Sequence, residues 1–202
     1  MIVLTDPTSR LPAIRLEARR SIRDFADRSV SIDDLGTLLF AMQGRRRAND
    51  KRLTPSAGAR YPLTLTVAVR RVATLSAGLY RYDVERHALD AIDNDAMALS
   101  KAAAATFEAP WVAEAALALH ISAAFEKTTI PYADQPPAGR AERYVWLEAG
   151  HVAQNAALTA AALDLATVLV AGFDDAAMGR AFCIPPTEKP LGLMPVGYPK
   201  AG

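Results

Sequence analysis

The chain has 202 residues, 51% of them hydrophobic, and a formal net charge of +1. That length fits one globular domain over 1–202, and the near-neutral charge gives no global pull toward nucleic acid or an anionic membrane. A single cysteine, Cys183, excludes an internal disulfide, and its apolar neighbours Phe182 and Ile184 predict a buried structural thiol.

The first residues, Met1-Ile2-Val3-Leu4-Thr5-Asp6, lack the basic and apolar regions of a secretion signal, so a cytoplasmic protein is expected. A short amphipathic helix is expected over 11–18. It leads into Arg19-Arg20-Ser21-Ile22-Arg23-Asp24-Phe25, three arginines and a hydroxyl within five residues. Guanidinium groups grip oxyanions through paired, charge-assisted hydrogen bonds, and an adjacent serine suits the same ligand. On spacing alone the group also reads as solvated surface. Ser31, with Asp34 three residues on, opens a helix carrying Leu35, Leu38, Leu39 and Met42 at helical spacing, and Gly44 stops it. A long loop over 45–60 holds Arg45-Arg46-Arg47 and Lys51-Arg52 without interleaved aromatics, the pattern of a solvated loop.

Alternating, β-branched residues predict a strand over 63–72 and a hairpin pair over 79–83 and 87–92. Alanine propensity predicts a helix over 96–105, and an apolar run predicts a buried strand over 115–122. Residues 126–141, rich in proline and glycine, are expected to form a mobile loop. The stretch 141–165 reads as a long helix; its Glu148, His151, Gln154 and Asn155 argue for a buried helix and against a membrane span. Ala149, Gly150, Ala153, Ala156, Ala157 and Ala160 are expected on one face, where small residues admit a close helical neighbour. A strand over 167–170, an aspartate-capped helix over 174–182 and a strand over 191–196 close the chain. The order predicts an α+β fold, a mixed central sheet packed between helices with a long buried central helix.

No Cys/His/carboxylate set has metal-ligand spacing, no Gly-x-Gly-x-x-Gly follows a strand, and no nucleophile elbow is present. Buried polar residues in a helix usually satisfy one another, so His151, Gln154 and Asn155 read as structural. Five segments nonetheless share an order with one known family. They are Arg19-Arg20-Ser21-x-Arg23-x-Phe25, Pro55-Ser56-Ala57-Gly58 with Pro62, Gly78-Leu79-Tyr80-Arg81-Tyr82-Asp83, Glu148-Ala149-Gly150-His151 through Asn155, and Ala171-Gly172-Phe173-Asp174 with Pro195-Val196-Gly197-Tyr198-Pro199. The chain resembles the nitroreductase superfamily in these motifs, above all its thiazole/oxazole-forming (SagB-type) dehydrogenase branch.

The resemblance implies flavin mononucleotide (FMN) bound at a homodimer interface, with no nucleic-acid or membrane partner. Arg19, Arg20 and Ser21 would hold the phosphate and ribityl chain, with Lys200 as a further phosphate ligand. Arg23 would lie near the pyrimidine edge. Pro55, Ser56, Ala57 and Gly58 would reach the partner's flavin, and Ala171 and Gly172 would offer N–H groups to its N5. The commoner pattern has asparagine and glutamine where this chain has Ala59 and Tyr61. The dehydrogenase branch has Lys-Tyr where this chain has Pro131-Tyr132. Tyr61 and Tyr132 are thus the substrate-pocket candidates. The implied activity is hydride transfer from NADH or NADPH to a small acceptor such as a nitroaromatic or quinone. Azoline oxidation in peptide modification is the alternative, weakened by Pro131, since proline cannot take a proton. A non-catalytic flavin-binding subunit is the third.

Overall fold

A computed structural model of the protein describes residues 1–3, 16–46 and 48–200. Its strands are β1 (Ile2–Val3), β2 (Leu63–Val69), β3 (Gly78–Asp83), β4 (Ala88–Asp93), β5 (Leu117–Ala123), β6 (Ala166–Thr167) and β7 (Lys189–Gly197). They form one sheet in the order β1-β4-β3-β2-β5-β7-β6. The helices are α1 (Ile32–Gln43), α2 (Ala98–Ala105), α3 (Glu126–Thr129), α4 (Arg140–Ala162) and α5 (Asp175–Ala181).

The elements expected after residue 18 are present, with the strand expected over 167–170 reduced to Ala166–Thr167 and an isolated bridge at Val170, and the α+β class follows. One feature of the sheet differs: the ladders between strands are antiparallel throughout, and the parallel contact is an isolated bridge, Val30 to Val72. Strand β5 lies inside the sheet, between β2 and β7, and all its residues are buried. Its Leu117, Leu119 and Ile121 join Leu35, Leu38, Leu39 and Met42 of α1 and Val145, Val152 and Ala156 of α4 in one core. On the other face Ala118 joins Leu99 and Ala102 of α2, Met178 and Ala181 of α5, and Phe25. A strand covered on both faces gains nothing from alternation, which is why this one reads as a continuous apolar run.

Caps fall where the sequence places them. The Ser31 hydroxyl accepts the Asp34 N–H at 3.0 Å, and the Asp174 carboxylate accepts the Ala177 N–H at 2.6 Å. Gly44 caps α1 with its N–H on the Phe40 carbonyl at 2.7 Å. The expected helix over 11–18 is described only at Leu16–Ala18, a single 3-10 turn; 11–15 lie outside the described residues, as does Arg47. The expected loop over 126–141 contains the short helix α3, with Thr128 buried.

Helix α4 is buried along one side only. Ala149, Ala153, Ala156 and Ala160 pack into the core against α1, and Asn155 donates to the Ala41 carbonyl at 3.1 Å. The small-residue face is therefore occupied within this chain. Gly150 falls on the opposite, exposed side, with Trp146 (53% exposed) and Leu147 (60%). Among the described residues no helix is long and apolar enough to cross a membrane.

The expectation of a buried Cys183 is wrong: its thiol is exposed. The cause is the end of α5. Cys183 adopts φ +50°, its N–H bonds the Arg180 carbonyl at 3.3 Å, and the Ile184 N–H bonds the Gly179 carbonyl at 2.9 Å. This is a Schellman ending, which turns one residue outward between two that face in. Phe182 is 1% exposed.

Candidate functional site

The arginine segment is an extended stretch laid along the end of β7. Ile22 donates to the Thr167 carbonyl at 3.2 Å, Phe25 bridges Pro199, and Ala26 donates to the Tyr198 carbonyl at 2.8 Å. Phe25 is the anchor, 2% exposed and 6.4 Å from the ring of Trp111. A side chain at Gly197 would press on it, with a Cβ only 3.1 Å from the Phe25 ring and 3.3 Å from the Ala116 nitrogen. Two residues back, the Arg23 guanidinium lies 5.9 Å over Trp111. Arg71 braces the segment from below, donating to the carbonyls of Ala26 at 3.3 Å and Glu114 at 3.0 Å.

Arg23 then borders a cleft of about 470 Å³, together with Phe107, Trp111 and the run Val168 to Gly172. The 170–172 run is fixed at both ends. Val170 and Leu193 exchange backbone bonds of 2.8 and 2.9 Å, and the Phe107 N–H donates to the Gly172 carbonyl at 3.1 Å. Among the described residues, the N–H groups of Ala171 and Gly172 have no acceptor, and the side chains of Arg19, Arg20 and Arg23 have no acidic partner. Arg20, Ser21 and Arg23 are exposed and Arg19 is half-buried. Lys200 stands beside this segment, its N–H on the Asp24 carbonyl at 3.2 Å; its ammonium pairs with Glu114 at 3.2 Å.

Pro55, Ser56 and Ala57 do not reach this cleft in the same chain. They border a separate groove of about 290 Å³ against Tyr144, Leu147, Glu148 and His151 of α4. Two residues of α4, seven apart and hence two turns along one face, hold the loop. Asn155 donates to the Thr54 hydroxyl at 2.9 Å, and Thr54 donates to the Met42 carbonyl at 2.5 Å. Glu148 lies beside Ser56 and Gln43. Ser56 in turn accepts the Tyr61 N–H at 2.8 Å, and Gln43 accepts from Arg52 Nη1 at 2.6 Å. Burial pushes the Glu148 carboxyl above its ordinary range, with Ser56, Gln43, Arg52 and Lys127 opposing.

Gly58 has φ +56°, and a Cβ there would collide with the Tyr132 hydroxyl. Tyr132 thus packs on the loop and edge-on to Tyr144, with centroids 5.5 Å apart. Tyr61 instead folds back beneath Arg52, whose guanidinium sits 4.7 Å over the ring and whose N–H reaches the hydroxyl at 3.3 Å. Sequence reasoning missed Trp111 and Phe107 as cleft walls and Glu148 as a groove wall. The pairing of Glu148 with Asn155 at i, i+7 was the readable signal.

An antiparallel sheet flanked by helix pairs, with an arginine-bordered cleft at its edge, defines the nitroreductase-like α+β class. The chain belongs to the nitroreductase family, whose model matches residues 16–198. It is 39% identical over 179 residues to the nitroreductase-family protein MJ1384 of Methanocaldococcus jannaschii, covering 89% of this chain and 86% of that one. Among solved structures, a nitroreductase-family protein of Ralstonia eutropha superposes with a TM-score of 0.80 at 23% identity, over 100% of this chain and 90% of that one. A chain of the E. coli microcin synthetase McbBCD complex superposes with a TM-score of 0.78 at 22% identity, over 100% and 75%. The last two likenesses are of fold.

Proposed function

We propose that the protein is an FMN-dependent oxidoreductase that passes hydride from NADH or NADPH to a small organic acceptor. The observation that carries this reading is the meeting of Arg23 with Ala171 and Gly172, about 150 residues apart in the sequence, in one cleft whose N–H donors are unused. The residues present fit the cofactor. Arg19, Arg20 and Ser21 would hold the phosphate, in the ion-pair geometry guanidinium favours. Arg23, steadied on Trp111, would place a positive charge near the pyrimidine edge and offset negative charge accumulating there. The free N–H groups of Ala171 and Gly172 would orient the ring, and Phe107, Trp111 and Leu169 would keep water from its surface. When bound, FMN supplies two-electron transfer between successive substrates, so no protein nucleophile is required. Lys200, already paired with Glu114, would have to exchange that partner to serve the phosphate.

Among the described residues, cleft and groove share no wall within one chain, which supports a homodimer in which the Pro55 to Gly58 loop completes the site of a second copy. The exposed Trp146 and Leu147 beside that loop are the surface such a pairing would cover. Azoline oxidation has less support: Pro131 is exposed and carries no base.

The test is flavin affinity with and without the phosphate. Arg19→Ala or Ser21→Ala should weaken FMN by about ten- to a hundredfold, the range for hydrogen bonds to a charged group, and riboflavin far less. Equal weakening of both would remove the phosphate assignment. Anaerobic bleaching of the bound flavin by NADH or NADPH, followed by reoxidation with a quinone, tests the hydride route.

A further inference from the structure

His120 has no part in the cofactor reading, yet it is fully buried on β5 and neither of its ring nitrogens has a hydrogen-bond partner among the described residues. Buried polar groups are rarely left so. The residue stands between Thr66 of β2 and Leu193 of β7, and its ring stacks on Phe182 at 4.5 Å with 22° between the planes. Phe182 closes α5. The rest of the inward surface of α5 is Met178 and Ala181, and the adjoining α2 offers mainly alanine: Ala98, Ala102, Ala103 and Ala105 beside Leu99. Alanine buries little apolar area, whereas the α1 layer on the other face is built on Leu35, Leu38, Leu39 and Met42. The Phe182 ring on His120 is therefore a principal anchor of α5. That helix also fixes the cleft. It begins two residues after Gly172, with Phe173 buried between them and the Asp174 N–H on the Ala105 carbonyl at 2.9 Å.

A neutral imidazole fits this place and an imidazolium does not, because it would hold two N–H donors and a charge away from water. The surroundings offer no counter-charge. Strand β2 has no ionisable side chain and β5 no other. From β7 comes Lys189, from α2 Lys101, and from α5 and its caps Asp174, Asp175, Arg180 and Cys183, all exposed. Beyond Thr66 lies Arg81 of β3. Glu188 reaches the same sheet face two residues along β5, where the Ser122 and Thr64 hydroxyls donate to it at 2.5 and 3.0 Å. Burial alone pulls the His120 pKa down to about 3, with no charged neighbour contributing. The chain need not unfold for this ring to meet water; lifting Phe182 is enough. We propose that His120 is a proton-operated lock on α5. On taking up a proton from solvent it releases Phe182, frees α5 and loosens the 168–172 wall of the cleft while the α1 and α4 layer stays folded. The consequence for the cofactor rests on the oxidoreductase reading above.

Native-state hydrogen exchange of the flavin-free protein, corrected for intrinsic rates, reads the lock directly. The Met178, Phe182 and Ile184 amides report α5, and those of Phe107, Val170 and Asp174 report the wall. An opening that returns the imidazole to its ordinary pKa of 6.5 should gain about 25-fold in population between pH 7 and pH 5. Both sets of amides should show that gain. Low concentrations of urea separate local from global opening: these amides should respond weakly to urea and exchange ahead of those of β2 and α4. His120→Leu should remove the pH response, and Phe182→Leu, which keeps the imidazole and loses the ring above it, should retain it. FMN release from the loaded protein should quicken over the same pH range in the native chain and not in His120→Leu. Opening of α5 that is equal at pH 7 and pH 5 overturns the proposal, as does opening only together with β2 and α4, or a pH response that survives in His120→Leu. The native profile decides the first two even where the variant does not fold. Failure to bind FMN would overturn the flavin reading alone, because the lock is measured without flavin.

Discussion

The cleft and the groove are built in opposite ways. In the cleft, charge sits at the surface: Arg23 is exposed, the Ala171 and Gly172 donors have no acceptor among the described residues, and the walls belong to the layer of α2 and α5. In the groove, charge is buried: Glu148 lies under the loop, the loop is tied down by Asn155, and three nearby residues, Gly58, Ala59 and Tyr61, adopt positive φ. The first arrangement leaves donors ready for an anionic ligand. The second spends its polar groups on holding a strained loop. Predictions that separate these two layers follow in order of expected size.

Acid should act most strongly on the cleft layer. His120 projects from β5 into it, fully buried and stacked on Phe182 with ring centroids 4.5 Å apart, and neither ring nitrogen has a partner among the described residues. Burial pulls its pKa down to about 3 from 6.5. The unfolded chain therefore takes up the proton first. Stability falls as pH drops below 6.5, by ~1.4 kcal/mol per pH unit, and levels off near pH 3. Glu148 has the opposite sign. Its raised pKa favours the folded state at low pH, and that advantage is lost as pH rises from 4.5 through the folded value. Denaturant titrations across pH should show His120→Leu flattening the acid limb and Glu148→Gln steepening its upper part, where the opposing contribution is lost. An unchanged acid slope in His120→Leu would mean that the imidazole is protonated in the fold.

The glycines of the two crevices should differ next. Gly58→Ala places a Cβ at φ +56° against the Tyr132 hydroxyl and should cost ~1–3 kcal/mol. Gly172→Ala meets only the Phe107 ring at 3.7 Å and should stay within ~0.5 kcal/mol. Calorimetry resolves the pair. Similar losses at both positions would show that the cleft is as tightly determined as the groove.

How much of this was legible in the sequence divides along the same line. The groups proposed to hold the cofactor lie in contiguous motifs, so Arg19 to Arg23 and Ala171-Gly172 could be picked out directly. Its walls could not: Trp111 belongs to none of the motifs, and only the packing of Phe25 shows why it supports Arg23. The groove depends on contacts more than a hundred residues apart, such as Asn155 with Thr54 and Ala41. Glu148 accordingly registered as polar load on a helix. The strands and caps were readable because alternation and N-cap chemistry are local. The small-residue face of α4 packs on a helix as expected, against α1 of the same chain, but Gly150 is not part of it.

The smallest effect is expected at Cys183, where composition misled. A residue at the left-handed position of a Schellman ending has its side chain set by the backbone turn, whatever the hydrophobicity of its neighbours. Cys183→Gly removes the Cβ from that conformation, a relief of ~1–2 kcal/mol, and adds freedom to the unfolded chain worth ~0.5–1 kcal/mol in the other direction. The net gain should lie between about 0 and 1.5 kcal/mol. Cys183→Ala keeps the strain and loses only an exposed thiol, so it should be neutral. Native alkylation with a thiol reagent should proceed at the rate of an accessible cysteine, without unfolding. Had the thiol been a core group, both substitutions would leave a cavity and destabilise, and alkylation would wait on unfolding. A destabilised Cys183→Ala variant with a protected thiol would thus restore the buried reading and remove the Schellman account of how α5 ends.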